Sequence, residues 1–213
     1  MLSSKASIAR LVQRPRVLKY RLLSDCRRVS GTPIRHQPVL LLGPGTILIG
    51  KGVEFGWPTS RLFHTGYCHV EASNAGAAIE IGDGVEINNN VFIKSEGPGI
   101  RIAPGGLLGS EVTIYDSDFH ELTPGRRRGG RARMAEVELE EDVFVGDRAT
   151  ILKGVRIGRG SVIGAGSVVC GPIPEGVVAA GNPARVLREL SEPGEPAEAA
   201  GLGHEAVAGA PLR

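Results

Sequence analysis

One histidine stands among carboxylates in a segment rich in arginine and glycine. His120 lies in YDSDFHELTPGRRRGGRARMAE, with Asp116, Asp118 and Glu121 close in sequence. An imidazole beside a carboxylate suits a general base near neutral pH; a solvated loop histidine is the plainer alternative. Upstream, INNN places Asn88 and Asn90 where their amides could hold a sugar hydroxyl or form a ladder along a repeat. Arg126, Arg127, Arg128, Arg131 and Arg133 could reach a phosphate on an acceptor, a neighbouring subunit or only solvent. His64 and His69 with His120 would give three imidazoles for zinc, a second reading of the same histidine. Cys26, Cys68 and Cys170 have no metal spacing and make no even disulfide set. Cys170 sits in the repeat rather than beside His120, which argues against a Cys-His nucleophile.

The elements that must position these residues follow a period of six. Aliphatic side chains recur at Ile81, Ile87, Ile93, then Ile102, Leu108, Ile114, then Leu139, Val145, Ile151, and finally Ile157, Ile163, Val169. Neither a helical period nor plain alternation produces this spacing; a parallel β-helix does. Each coil buries its aliphatic residues only by stacking on its neighbours, so the repeat must be serial. Three hexads per coil stack Ile81, Ile102, Leu139 and Ile157 in one column. Ile87, Leu108, Val145 and Ile163 form the second, and Ile93, Ile114, Ile151 and Val169 the third. The phase breaks after Ile93 and again after Ile114, each time following a third hexad, so both insertions leave from the same corner. The longer one carries His120, and Asn88 and Asn90 are expected just before that corner, beneath the loop. Long loops thrown from a regular scaffold usually serve a site.

Composition agrees with a scaffold made mostly of corners: 213 residues include 31 Gly and 14 Pro, and only 4% are aromatic. The formal charge of +2 divides unevenly, with +8 in residues 1–36 and −6 in the remainder. Apolar residues interleave with the basic ones there, predicting an amphipathic helix interrupted at Pro15, which caps the β-helix and offers peripheral contact to anionic lipid. Nucleic acid is not expected, since no aromatic platform or binding motif accompanies the charge. The reading divides the chain into a basic, helical segment 1–36, a hexapeptide-repeat domain 37–190 with inserted loop 115–138, and a disordered tail 191–213. Within the repeat domain an early coil, an excursion after Phe55 and a return near Ala75 are expected. Absence of an apolar leader or spanning segment, together with the cysteine usage, predicts a cytoplasmic protein, peripheral at most on the inner face of the membrane.

The stretch VELEEDVFVGDRATILKGVRIGRGSVIGAGSVVCGPIPEGVVAAGNPARVLREL resembles the C-terminal half of the hexapeptide-repeat acetyltransferases, particularly the maltose, galactoside and nodulation-factor O-acetyltransferase group. The resemblance spans roughly residues 75–190. It implies an all-β, left-handed parallel β-helix, a homotrimer with active sites between subunits, acetyl-CoA as co-substrate and a sugar or glycan acceptor, without a metal. Carried over by motif, the catalytic histidine falls on His120 and acceptor contacts on Asn88 and Glu96; the spacing and residue type around Glu96 depart from the family pattern. Donor contacts fall on Phe144, where the family commonly has tryptophan, and on Ala165, Arg185 and Arg188. Cys170-Gly171 replace a common Thr-Lys pair that would touch a phosphate. The implied reaction is direct transfer in a ternary complex. Two rival readings are a zinc enzyme similar to the γ-class carbonic anhydrases and a non-catalytic β-helix scaffold, since fold alone does not fix function.

Overall fold

The computed structural model describes residues 4–190. It opens with helix α1 (Ser4–Leu23) and continues into six triangular coils. The first coil is β1 (Arg28–Ser30), β2 (Ile34–Arg35) and β3 (Val39–Leu42); the second is β4 (Thr46–Ile49), β5 (Glu54–Phe55) and β6 (Cys68–Ala72). The third is β7 (Ala78–Ile81), β8 (Glu86–Ile87) and β9 (Phe92–Ser95), and the fourth β10 (Ile100–Ile102), β11 (Leu107–Leu108) and β12 (Thr113–Tyr115). The fifth is β13 (Val137–Leu139), β14 (Phe144–Val145) and β15 (Thr150–Ile151), and the sixth β16 (Arg156–Ile157), β17 (Val162–Ile163) and β18 (Val168–Val169). A closing hairpin, β19 (Val177–Gly181) and β20 (Ala184–Glu189), extends the second face.

Equivalent strands stack in parallel into three sheets, here faces A, B and C in the order the chain visits them within a coil. The register pairs all three aliphatic columns as expected: Ile81 with Ile102 on face A, Ile87 with Leu108 on face B, Ile93 with Ile114 on face C, each column continuing through the sixth coil. The interior is one aliphatic stack in which Ile81, Ile93, Ile102, Ile114, Leu139, Val145, Ile151, Ile157, Ile163 and Val169 have essentially no exposed surface. Inward-pointing side chains alternate with outward ones along each short strand, so every coil offers one or two side chains per face to the exterior.

Three expectations need correction. The stack begins at Arg28, inside the segment read as basic and helical, because β1 pairs with β4 and β2 with β5. The excursion ends sooner than Ala75: Cys68 already pairs with Val39, and only residues between Phe55 and Cys68 bulge out, at the corner between faces B and C. Helix α1 runs unbroken through Pro15, which removes one backbone donor. The helix is anchored on both sides of the proline, where Gln13 donates to the Phe63 carbonyl and Arg16 to those of Thr65 and Gly66, both at 3.0 Å. The tail 191–213 lies outside the described residues.

Candidate active site

The long loop leaves β12 at the corner between faces C and A, and its base is pinned there. Asp116 is fully buried and accepts from the Ser95 hydroxyl (2.6 Å) and from the backbone N–H groups of Glu96 (2.8 Å), Gly97 and Gly99 (both 3.1 Å). A carboxylate so occupied ties the shorter insertion to the longer one and cannot serve an imidazole. Asp118 pairs with Lys153 at 2.7 Å and Glu121 with Arg126 at 3.0 Å. Thus none of the three sequence-adjacent carboxylates hydrogen-bonds His120. The partner is the backbone: Nδ1 of His120 lies 3.2 Å from the Arg127 carbonyl oxygen. A carbonyl only accepts, so in the neutral ring Nδ1 carries the proton and Nε2 of this exposed residue keeps its lone pair.

The residue before the histidine is strained in a way the sequence did not signal. Phe119 has φ +59°, a left-handed conformation uncommon for a bulky residue. Its ring closes an aromatic row along the outside of face C: Tyr67, His69, Phe92, Tyr115 and Phe119, with Tyr115 and Phe119 edge-on at 5.0 Å. Lys94 sits 5.4 Å from the Phe119 ring centre and bridges to Glu71 at 3.1 Å. Burial would raise the Glu71 carboxyl, but hydrogen bonds from Ser73, His69 and Lys94 outweigh it and hold the group below its ordinary value. Burial pushes the Tyr115 phenol up, opposed by Lys94.

A second constellation lies on face B and the B–C corner. A cavity of about 320 Å³ is lined by Trp57, Ser60, Glu86, Asn88, Leu107 and Phe144, among others. Asn88 donates to the Ser60 hydroxyl at 3.1 Å and its side-chain oxygen accepts the Asn89 N–H at 2.8 Å. One amide hydrogen of Asn88 remains for a ligand. Asn89, fully buried, holds the excursion: it accepts the Trp57 N–H at 2.9 Å and donates to the carbonyls of Trp57 and Arg61. Asn90 has φ +61°, as do Glu111 and, at +58°, Arg148 in the turns of the following coils, so a residue tolerant of the left-handed region suits that turn. Of the INNN asparagines, only Asn88 therefore points a free group at the cavity.

The expected site residues fall into two groups that one chain keeps apart. Asn88, Phe144, Ala165, Arg185 and Arg188 belong to face B and its edges: Phe144 pairs with Leu107 and Val162, Ala165 sits in the exposed turn after β17, and the two arginines lie on β20. His120 and Glu96 belong to the C–A corner, where Glu96 accepts from Ser117 at 2.8 Å and Ser117 in turn accepts the Phe119 N–H at 2.9 Å. The sequence-based expectation that Asn88 lies under the loop is wrong by one corner. The two insertions do share a corner, but Asn88 directly follows a face-B strand and is separated from the loop by the whole of face C. His64, His69 and His120 likewise do not converge: His69 is on face C against Glu71, and His64 is on the excursion. Among the described residues no group of three or more His, Cys, Asp or Glu is arranged to hold a metal ion. Cys68 is buried and its thiol pushed up to about 12, so it is inert as a nucleophile.

Trp57, Ser60 and Glu86 were missed by sequence reasoning. The lone tryptophan of a chain with few aromatics, 41% exposed in an out-of-phase segment, was the available signal.

Comparison with known proteins places this geometry. Residues 136–171 match the profile of the bacterial transferase hexapeptide (six repeats), and residues 73–95 that of the hexapeptide repeat of succinyl-transferase. Both matched stretches fall on coils of the β-helix. This hexapeptide-repeat chain is 39% identical over 117 residues to a Saccharomyces cerevisiae protein, covering 55% of this chain and 59% of that one. It is 36% identical over 121 residues to the galactoside O-acetyltransferase of Lactococcus lactis, covering 57% and 58%. It therefore spans under three-fifths of the length of these curated relatives. The crystal structure of a hexapeptide-repeat acetyltransferase from Vibrio cholerae, complexed with acetyl coenzyme A, superposes with a TM-score of 0.51 at 24% identity, covering 90% of this chain and 88% of that one. At that identity the likeness concerns the fold, which is the left-handed parallel β-helix.

Proposed function

We propose that this hexapeptide-repeat protein is an acetyl-CoA-dependent O-acetyltransferase acting on a sugar hydroxyl, with each active site formed between two copies of a homotrimer. The observation that carries the reading is the imidazole of His120. Its neutral tautomer is set by a backbone carbonyl, the residue is exposed, and it stands on a pinned loop one face away from a cavity that offers the Asn88 amide. The similarity to the Lactococcus lactis O-acetyltransferase supports the reaction class, and the acetyl coenzyme A complex of the Vibrio cholerae protein supports the donor. The separation of the two constellations supports the assembly. A C–A corner of one copy set against face B of the next would bring His120 and Glu96 to Asn88, Phe144 and Ala165.

In this mechanism the acceptor hydroxyl is oriented by the Asn88 amide and gives its proton to His120 Nε2. The oxygen attacks the thioester carbonyl carbon, a backbone N–H stabilises the oxyanion, and the C–S bond breaks as the CoA sulfur takes the proton back from the imidazolium. The acyl group passes directly to the acceptor. Glu96 acts through Ser117 and the Phe119 N–H, holding the base of the loop. Arg185 and Arg188, on β20, would draw the CoA phosphates. The test is His120→Ala, which should lower transfer roughly 10²–10⁴-fold with unchanged melting, read by thiol release from acetyl-CoA against a sugar panel. Unchanged turnover in the folded variant would end the proposal.

A further inference from the structure

Helix α1 sits on the protein with its amphipathicity reversed. The side docked on the body is polar or aromatic: Gln13 is 1% exposed and bonded to Phe63, Arg16 spans three excursion carbonyls, and Tyr20 stacks on Tyr67 at 4.8 Å. The side turned outward is apolar. Ile8, Leu11, Val12, Leu18 and Leu22 are each 58–78% exposed, and their spacing of three, four, six and seven residues places them along one stripe with Pro15 between. Arg14, Lys19 and Arg21 are exposed beside or within the stripe, and α1 contains no Asp or Glu. A core-seeking helix buries such a stripe; this one spends its polar face on the body and leaves the stripe out.

We infer that α1 is a membrane-surface helix that lays Leu11, Leu18 and Leu22 into an anionic bilayer while its basic side chains meet the lipid headgroups. An interfacial helix of this kind needs an apolar strip for the acyl boundary and cations at headgroup level, and both are present on one side of a helix about 30 Å long. Charge argues against a second copy of the helix as the occupant: α1 against α1 would oppose arginines and lysines with nothing acidic between them. The consequence for the site rests on the acetyltransferase reading. Arg16 grips the far end of the excursion whose near end, Trp57 and Ser60, lines the Asn88 cavity. Docking through α1 sets that cavity beside the lipid surface, so the acceptor class it favours is a glycan carried on a lipid.

The experiment is co-sedimentation of the full chain with phosphatidylglycerol-rich and with pure phosphatidylcholine vesicles, without donor or acceptor. Binding is expected to the anionic vesicles and to fall with added salt. The exposed-face variant Leu11→Glu/Leu18→Glu/Leu22→Glu should abolish it, and Arg14→Gln/Lys19→Gln/Arg21→Gln should weaken it on the order of a hundredfold. Both variants should melt like the parent, since their side chains are outside the core, and should keep transfer to a soluble sugar. No binding to anionic vesicles, or undiminished binding of the Glu variant, overturns the inference. So does a Glu variant that changes the oligomeric state in gel filtration, because a second copy would then be what covers the stripe. A parent chain that does not bind anionic vesicles yet transfers acetyl to a soluble sugar separates this failure from failure of the acetyltransferase reading.

Discussion

If His120 and Asn88 serve one acceptor only across a subunit boundary, two defective chains should complement each other. Within a chain the loop base is fixed at the C–A corner by Asp116, and by Asp118 on Lys153, while Asn88 follows β8 at the B–C corner. The intervening face is about four residues wide, on the order of 13 Å at roughly 3.3 Å per residue, whereas base and orienting amide must each lie about 3 Å from the same hydroxyl. His120→Ala keeps Asn88, and Asn88→Ala keeps His120. Alone, the first should retain no more than about 1% of turnover. The second, losing one hydrogen bond to the acceptor, should retain roughly 10% at low acceptor concentration. In trimers that carry both chains, about one site in three receives His120 from one chain and Asn88 from the other. About one site in six has only the asparagine defect, giving roughly 35% of wild-type turnover against roughly 5% for the unmixed average. The assay is thiol release by co-expressed, differently tagged chains purified through both tags. Activity that stays at the unmixed average in a verified mixed oligomer would refute the intersubunit site.

Two further outcomes follow from the loop base and the outer face. Asp116→Ala strands three backbone N–H groups and the Ser95 hydroxyl in a buried corner, so it should cost roughly 3 kcal/mol or more and lower Tm by roughly 6–12 °C in a thermal melt; a loss below about 1 kcal/mol would show that the corner holds without it. Glu71 is depressed in the folded state, so its contribution is fully present above the ordinary carboxylate range, about pH 4.3, and is lost as pH falls through the lower folded value. The stability gap between the parent and Glu71→Gln in urea unfolding should therefore close on acidification, and a gap constant from neutral pH to about pH 3 would contradict it.

The repeat itself was legible in the chain because burial in a β-helix is a strictly local rule. Each inward position must be aliphatic, each coil needs three of them, and nothing else satisfies the stack, so all twelve columnar residues, from Ile81 to Val169, could be assigned from spacing alone. The loop and its histidine were legible for the same reason, as the place where that rule is suspended. What the period could not supply was anything set by a corner rather than a face. The first coil, at Arg28–Leu42, escaped because its turns are one residue shorter than those of the in-phase coils and because Arg35, not an aliphatic residue, occupies the position paired with Phe55. The role of Asp116 escaped because proximity to His120 in sequence resembles a catalytic pair, whereas the folded corner offers that carboxylate four closer donors. The imidazole is oriented instead by the Arg127 carbonyl, a group every residue possesses and no motif can mark. The amino-acid order determined that Asn88 and His120 exist on a coiled scaffold. Only the tertiary structure decided that a full face separates them, because a triangular coil turns a difference of one hexad into a difference of direction.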